Sequence, residues 1–252
     1  MKVSIITIVY NNVSFIESCI QSVLNQSYPN IEHIIIDGGS NDGTQKVIEP
    51  YIPQLGYYKS EKDNGLYNAL NKGIKVATGD IIGILHSDDL FYDKNSIENL
   101  IEKFKESQSD LVYANGIYVE REDINRIKRV YKAKPFKRRF LKFGWIPLHT
   151  TIYVKKGVFD NFGLYHEGYS IASDYEISLR WFVNDKIKKT FFNVFFVRMR
   201  LGGKSTTLKL QKKKSTEDLE IIRKYKLLGV FTLFFKISRK IKQYLMPKII
   251  KY

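Results

Sequence analysis

The chain has 252 residues, with 41 Lys and Arg against 26 Asp and Glu, so it carries a net charge of +15. Its 44% hydrophobic and 14% aromatic content excludes general disorder, and the length suits one α/β domain with a tail. A single cysteine, Cys19, excludes a disulfide framework or a cysteine-rich zinc site; no apolar run reaches the roughly 18 residues of a membrane span, and Asn11 and Asn12 interrupt the opening stretch too soon for a signal peptide.

Val3–Val9 is a β-branched apolar run ending at Tyr10-Asn11-Asn12, the pattern of a buried parallel strand. A helix follows, with capping-box spacing at Ser14 and Glu17 and one face made of Ile16, Ile20, Val23 and Leu24. Ile31–Ile36 is a second buried strand, ending in Asp37-Gly38-Gly39-Ser40; a helix from about Thr44 and a short strand near Tyr57–Ser60 come next. Leu66–Ala77 reads as helix and Ile81–Leu85 as another buried strand, ending in His86-Ser87-Asp88-Asp89. This alternation predicts a doubly wound, mostly parallel sheet with flanking helices. Beyond it, helices near Ser96–Glu106 and Asp174–Val183 are expected, with strands near Asp110–Val119, Thr150–Val154 and Phe191–Met199.

Ligands of such sheets bind beyond the carboxyl ends of the strands. Three polar clusters, at Tyr10-Asn11, Asp37–Ser40 and Ser87–Asp89, are therefore expected to crowd one edge. Other chemistries find no support. Gly202-Gly203-Lys204-Ser205 resembles the end of a P-loop, but the pattern needs glycine at position 198, which is Arg198. The glycine-rich Asp37–Gly43 stretch is not GxGxxG, and the four histidines lack HExxH spacing.

Taken in order, Thr7-Ile8-Val9-Tyr10-Asn11, Asp37-Gly38-Gly39-Ser40-x-Asp42-Gly43-Thr44, the Glu61–Gly73 stretch with Asp63, Gly65, Tyr67, Asn68, Asn71 and Lys72, Ala77-Thr78-Gly79-Asp80 and Ser87-Asp88-Asp89 resemble family 2 glycosyltransferases. The resemblance implies a GT-A fold, a nucleotide-sugar donor and a divalent metal, Mg²⁺ or Mn²⁺. It implies that Asp89 binds the metal, Asp88 lies near the donor, and Asp37 meets the nucleobase with Thr7 and Tyr10 flanking it. Asp63 and Lys72 are assigned to the base or ribose and to the diphosphate. A carboxylate accepting the imide N–H of uracil favours UDP or dTDP over a purine nucleotide, and a UDP-sugar is the expected donor. Ser87 stands where the family's first acid would be.

Further along, Ser173-Asp174-Tyr175-Glu176 followed by Leu179-Arg180 resembles the family's acceptor-side motif, with Ser173 in place of a frequent Glu. Inverting transfer needs a base for the acceptor hydroxyl, and Asp174 is the candidate, with Glu176 in reserve. An Asp also suits a helix start for structural reasons alone. His149, within Pro147-Leu148-His149-Thr150, and Arg180 and Arg200 are assigned to the acceptor or diphosphate side. The stretch from Arg198 to Ser205 is expected to form a lid.

The positive charge is concentrated. Residues 204–252 carry +11 and residues 126–142 carry +9, leaving the remainder at −5. Residues 227–245 join an apolar stretch to Ile237, Ile241 and Leu245 interleaved with lysine and arginine, the pattern of an interfacial helix for an anionic membrane. The expected organisation is a glycosyltransferase domain over 1–203, with a nucleotide-sugar half (1–90) and an acceptor half (91–203), and a basic amphipathic extension over 204–252. The expected activity moves a hexose or N-acetylhexosamine to a lipid-linked or surface-polysaccharide acceptor, in a cytoplasmic protein peripheral at the inner face of the membrane. Two rivals stay open: a basic nucleic-acid module, which the charge distribution disfavours, and an inactive transferase-like partner subunit, which Ser87 and Ser173 would suit.

Overall fold

The computed structural model describes residues 1–202 and 208–249; Gly203, Lys204 and Ser205, the far end of the expected lid, lie outside the described residues. Strand β1 (Val3–Val9) is buried along its length because its apolar run, broken only by Ser4 and Thr7, can face helices on both sides. It pairs in parallel with β2 (Ile31–Asp37) and β4 (Ile81–Ile84), and β2 pairs in parallel with β3 (Tyr57–Ser60). The sheet continues from β4 through β8 (Ile152–Lys155), β6 (Leu111–Val119) and β9 (Lys189–Arg200) to the two-residue β5 (Leu90–Phe91). β4–β8, β8–β6 and β9–β5 are antiparallel, while β6–β9 is parallel; β7 (Ile127–Tyr131) forms a hairpin on β6.

Helices α1 (Ile16–Leu24) and α4 (Ser96–Ser107) cover one face of the sheet. α3 (Leu66–Val76), α6 (Lys156–Phe162), α7 (Ser173–Val183) and α8 (Leu208–Lys224) cover the other. α1 buries Ile16, Cys19, Ile20 and Val23, an i, i+3, i+4, i+7 stripe in which Cys19 joins three of the expected residues, while Leu24 stays half-buried. α3 lies close on β1 because a Cβ at Gly73 would stand 2.5 Å from the Ile6 side chain. The short α2 (Thr44–Ile48) follows β2, and α5 (Arg139–Lys142) carries the end of the basic 126–142 run. α9 (Val230–Ile249) closes the chain.

Three details depart from the sequence reading. The capping box of α1 does not form: the helix starts at Ile16 without a side-chain cap, and Glu17 instead accepts a 2.7 Å hydrogen bond from the Tyr51 hydroxyl. The 126–142 run, for which no element was expected, contains β7 and α5, with Phe136 stacked on the buried Trp145 and Phe140 edge-on to it. The described part of residues 204–252 packs back on the domain, for Ile221 and Ile222 of α8 are fully buried in the same core as α7.

Candidate active site

The carboxyl ends of β1, β2 and β4 meet at one rim, tied by side chains that each strand sends across. The Asn11 backbone N–H donates to Ser40 Oγ (2.8 Å), the Asn41 N–H to Asn11 Oδ1 (3.0 Å), and Asn12 Nδ2 to Ser87 Oγ (2.8 Å). Asn11 turns the chain in the left-handed region at φ 50°, where Asn is tolerated better than most residues. Ser87, the departure from an acid, thus has a bracing partner.

Of the residues expected around a nucleobase, Tyr10 is exposed at this rim and Asp63 stands half-buried beside it. A Cβ at Gly38 would lie 2.6 Å from Asp63 Oδ2 and 3.4 Å from the Tyr10 ring, so glycine there leaves room for both. Asp37 and Thr7 are placed differently from expectation. Asp37 is fully buried, and its carboxylate accepts from the Ser40 N–H, the Ser40 hydroxyl (2.5 Å) and the Ser60 hydroxyl (2.5 Å). The cause is register, since Ser60 of β3 pairs opposite Asp37 at the end of β2. Thr7 points into the core, its hydroxyl 3.0 Å from His33 Nε2, because alternation along β1 turns it from the rim. Lys72 is paired with Glu61 at 2.8 Å.

The acid pair lies where β4 ends and β9 returns. β9 pairs with both β5 (Leu90 opposite Arg198) and β6 (Val119 opposite Arg200), which delivers Arg200 to Asp88–Asp89. Arg200 donates from Nη1 to the Asp88 carbonyl (2.6 Å) and from its backbone N–H to Asp89 Oδ1 (3.2 Å). Arg121 Nη1 stands 3.4 Å from Asp88 Oδ2, and the Arg121 and Arg200 guanidinium groups both lie over the Phe15 ring. Asp89 is 1% exposed, and its Oδ2 is buried with no hydrogen-bond partner among the described residues. Burial, reinforced by the neighbouring Asp88 charge, holds its carboxyl well above the usual carboxylate range.

Asp174 lies in the first turn of α7. The Tyr67 hydroxyl donates to its Oδ1 (3.1 Å), and His149 Nδ1 stands 3.4 Å from Oδ2. Burial pushes its pKa up, but the charges of Lys214, His149 and Lys236 and the Tyr67 hydrogen bond outweigh this and hold it at about 2. The helix start is fastened from α8. The Glu217 carboxylate accepts from the backbone N–H groups of Ser170, Ile171 and Ala172 and from the Ser170 hydroxyl.

The sequence model of the family described as Glycosyl transferase family 2 matches residues 4–161. The chain belongs to this family. An uncharacterized glycosyltransferase of Mycobacterium tuberculosis is 34% identical over 180 residues, covering 71% of this chain and 68% of the relative. A PGL/p-HBAD biosynthesis glycosyltransferase of Mycobacterium bovis is 27% identical over 210 residues, covering 81% and 79%. Among solved structures, residues 1–349 of S. aureus TarS in complex with UDP-GlcNAc superpose with a TM-score of 0.72 at 19% identity, over 100% of this chain and 77% of that one. The chain spans only 40% of a longer TarS structure. The mannosyltransferase PcManGT of Pyrobaculum calidifontis, in complex with GDP-Man and Mn²⁺, superposes with a TM-score of 0.65 at 15% identity, over 94% and 73%. The fold is thus of the GT-A type, and the chain is a glycosyltransferase.

Within this family 2 transferase, two residues of the 173–180 stretch hold the scaffold together. Glu176 is 1% exposed and takes Arg180, Lys224 (2.9 Å) and the Tyr225 hydroxyl (2.8 Å). Arg180 also donates to the Phe162 and Leu164 carbonyls, each at 2.9 Å. Both carboxylate oxygens of Glu176 are thus engaged away from Asp174. Sequence reading missed Tyr67 as a partner of Asp174, as well as His86, Arg121, Lys214 and Glu217. Tyr67 and His86 stood inside or beside quoted motifs; Arg121, Lys214 and Glu217 carried no local signal because long-range packing brings them in.

Proposed function

We propose that this transferase is an inverting enzyme that moves a hexose or N-acetylhexosamine from a nucleotide sugar, UDP-sugars favoured, to a lipid-linked or surface-polysaccharide acceptor. The observation that carries this reading is the pair of carboxylate sites on one rim: Asp88–Asp89 with two guanidinium groups beside them, and Asp174 under Tyr67 and His149. The UDP-GlcNAc and UDP bound by the TarS structures support the choice of donor.

In this reading Tyr10, the Gly38 backbone and Asp63 line the base slot, with Asp63 in the role first given to Asp37. Arg200 and Arg121 face the diphosphate beside Asp88. The lone buried Oδ2 of Asp89 fits a hard divalent cation, Mg²⁺ or Mn²⁺, with donor oxygens and water filling the rest of its shell. No cluster of three or more His, Cys, Asp or Glu able to hold a metal occurs among the described residues, so Asp89 is the chief protein ligand. Such an ion supplies charge neutralisation to the departing diphosphate. Asp174 accepts the proton of the acceptor hydroxyl as that oxygen bonds to the anomeric carbon and the bond to the diphosphate breaks on the opposite face. The proton then passes from Asp174 to water.

The C-terminal helix supports a membrane-side location. α9 seats one side on the domain, with Phe235 against Phe143, Lys236 over the Tyr175 ring and Thr232 donating to the Lys142 carbonyl. Its other side exposes Phe231, Phe234, Ile237, Ile241 and Leu245. Arg129 of β7 donates to Gln243, which sets the 126–142 basic run beside the α9 lysines and arginines. An apolar stripe flanked by an excess of positive charge suits an anionic bilayer. No helix among the described residues is long and apolar enough to cross a membrane. We place the enzyme peripherally at the inner face of the cell membrane, where a lipid-linked acceptor is presented.

Asp174→Asn tests the chemistry. It is expected to bind UDP like the parent and to lose about 10²–10⁴-fold in kcat on UDP-GlcNAc, read as UDP release. Unchanged release would remove Asp174 as the base.

A further inference from the structure

His86 closes the loop after β4, three residues before Asp89, whose backbone N–H donates to the His86 carbonyl at 2.9 Å. Its Nε2 lies 2.9 Å from Nε2 of His149, with the two rings tilted at 60° and their centroids 5.2 Å apart. His149 in turn presents Nδ1 to Asp174 Oδ2 at 3.4 Å. Two rings thus form an unbroken path from the donor-side loop to the candidate base.

The path has one consistent arrangement of protons. Burial holds the His149 imidazole at about 4, so it is neutral near pH 7 and carries one ring proton. Between the two Nε2 atoms one ring must donate and the other accept. Were His149 the donor, its bare Nδ1 lone pair would face the Asp174 carboxylate, which is repulsive. With His86 as donor from Nε2, His149 accepts at Nε2, carries its proton on Nδ1 and points that N–H at Asp174. The second arrangement satisfies both contacts.

We propose that His86 is a positioning residue: by donating to His149 it fixes the tautomer and ring plane through which His149 orients the Asp174 carboxylate, tying the base to the loop that bears Asp88 and Asp89. The proposal rests on the reading of Asp174 as base. It differs from a role for His86 in folding, because it requires only a donor at the Nε2 position. Glutamine supplies such a donor in nearly the same place, and leucine does not.

The test uses the full chain labelled with ¹⁵N-histidine. Long-range ¹H–¹⁵N spectra at pH 7, assigned by single substitutions of the four histidines, are expected to show His149 protonated on Nδ1 and His86 on Nε2. In His86→Leu the His149 signals are expected to shift toward a mixture of tautomers, and in His86→Gln to stay as in the parent. With UDP-GlcNAc as probe, His86→Leu is expected to lose about tenfold or more in kcat with KM within about twofold, and His86→Gln to stay within about threefold of the parent. His149 protonated on Nε2 in the parent, or equal losses in the Leu and Gln variants, would overturn the proposal. The spectra need no substrate, and the parent and Gln spectra decide even if the Leu variant does not fold. Full UDP release by Asp174→Asn would instead sink the base assignment while leaving the tautomer result to stand or fall separately.

Discussion

The Asp174 carboxyl owes its low pKa, about 2, to charges brought from α8 and α9, which outweigh the effect of burial. Removing one of them has a definite sign. Lys214→Met is expected to raise the Asp174 pKa, so the acid limb of the pH profile for UDP release moves toward neutrality; an unmoved limb would show that Lys214 does not act on Asp174. Glu32 gives a second pH effect, on stability rather than rate. Burial favours its neutral form, but hydrogen bonds from Lys2, Ser4 and Thr78 win and bring it to about 2. A depressed carboxylate contributes stability that is present above its unfolded pKa and lost as pH falls toward the folded one. Denaturant midpoints should therefore drop between about pH 5 and pH 2, and less steeply in Glu32→Gln. Glu217→Ala leaves three backbone N–H groups at the start of α7 without their acceptor and is expected to cost about 3 kcal/mol by urea unfolding.

Among the elements, the strands that set the rim were legible because apolar, largely β-branched residues dominate them. β1, β2 and β4 are apolar runs broken only by Ser4, Thr7, Glu32, His33 and Gly83 and closed by polar clusters, so both their existence and their polar ends could be read. β7 could not, because Lys128 and Arg129 interrupt its apolar residues, and the strand tolerates Arg129 by laying its guanidinium over Tyr118. The two-residue β5 is set by its partner β9 rather than by its own residues. α9 was legible as amphipathic, but its attachment was not. Gly144, at φ +65°, lets α9 approach so closely that a Cβ there would lie 2.5 Å from the Lys236 backbone nitrogen. For the exposed side of α9, the double change Phe231→Ser and Phe234→Ser is expected to cut binding to phosphatidylglycerol-containing vesicles about tenfold or more while leaving the unfolding temperature within a few degrees. Unchanged cosedimentation would remove the membrane reading.

Across the whole molecule, the sequence announced the two acidic centres because each lies in a contiguous motif, Ser87-Asp88-Asp89 and Ser173-Asp174. The residues that surround them come from far along the chain: Arg121 and Arg200 reach Asp88–Asp89 from β6's end and β9, and Lys214 reaches Asp174 from α8. Alternation and register, which only the folded sheet fixes, decided that Thr7 and Asp37 face inward while Tyr10 and Asp63 line the rim. The central claim is that this rim binds a uridine nucleotide with a cation held at Asp89. Thermal unfolding of the parent and of Asp89→Ala with UDP, dTDP, GDP and CMP, each with and without Mn²⁺, tests it directly. A ligand at about 100 times its Kd stabilises by about 2.7 kcal/mol, a readable shift. UDP is expected to raise the unfolding temperature most, only with Mn²⁺, and not in Asp89→Ala; no shift with any nucleotide, or an equal shift in Asp89→Ala, would contradict this.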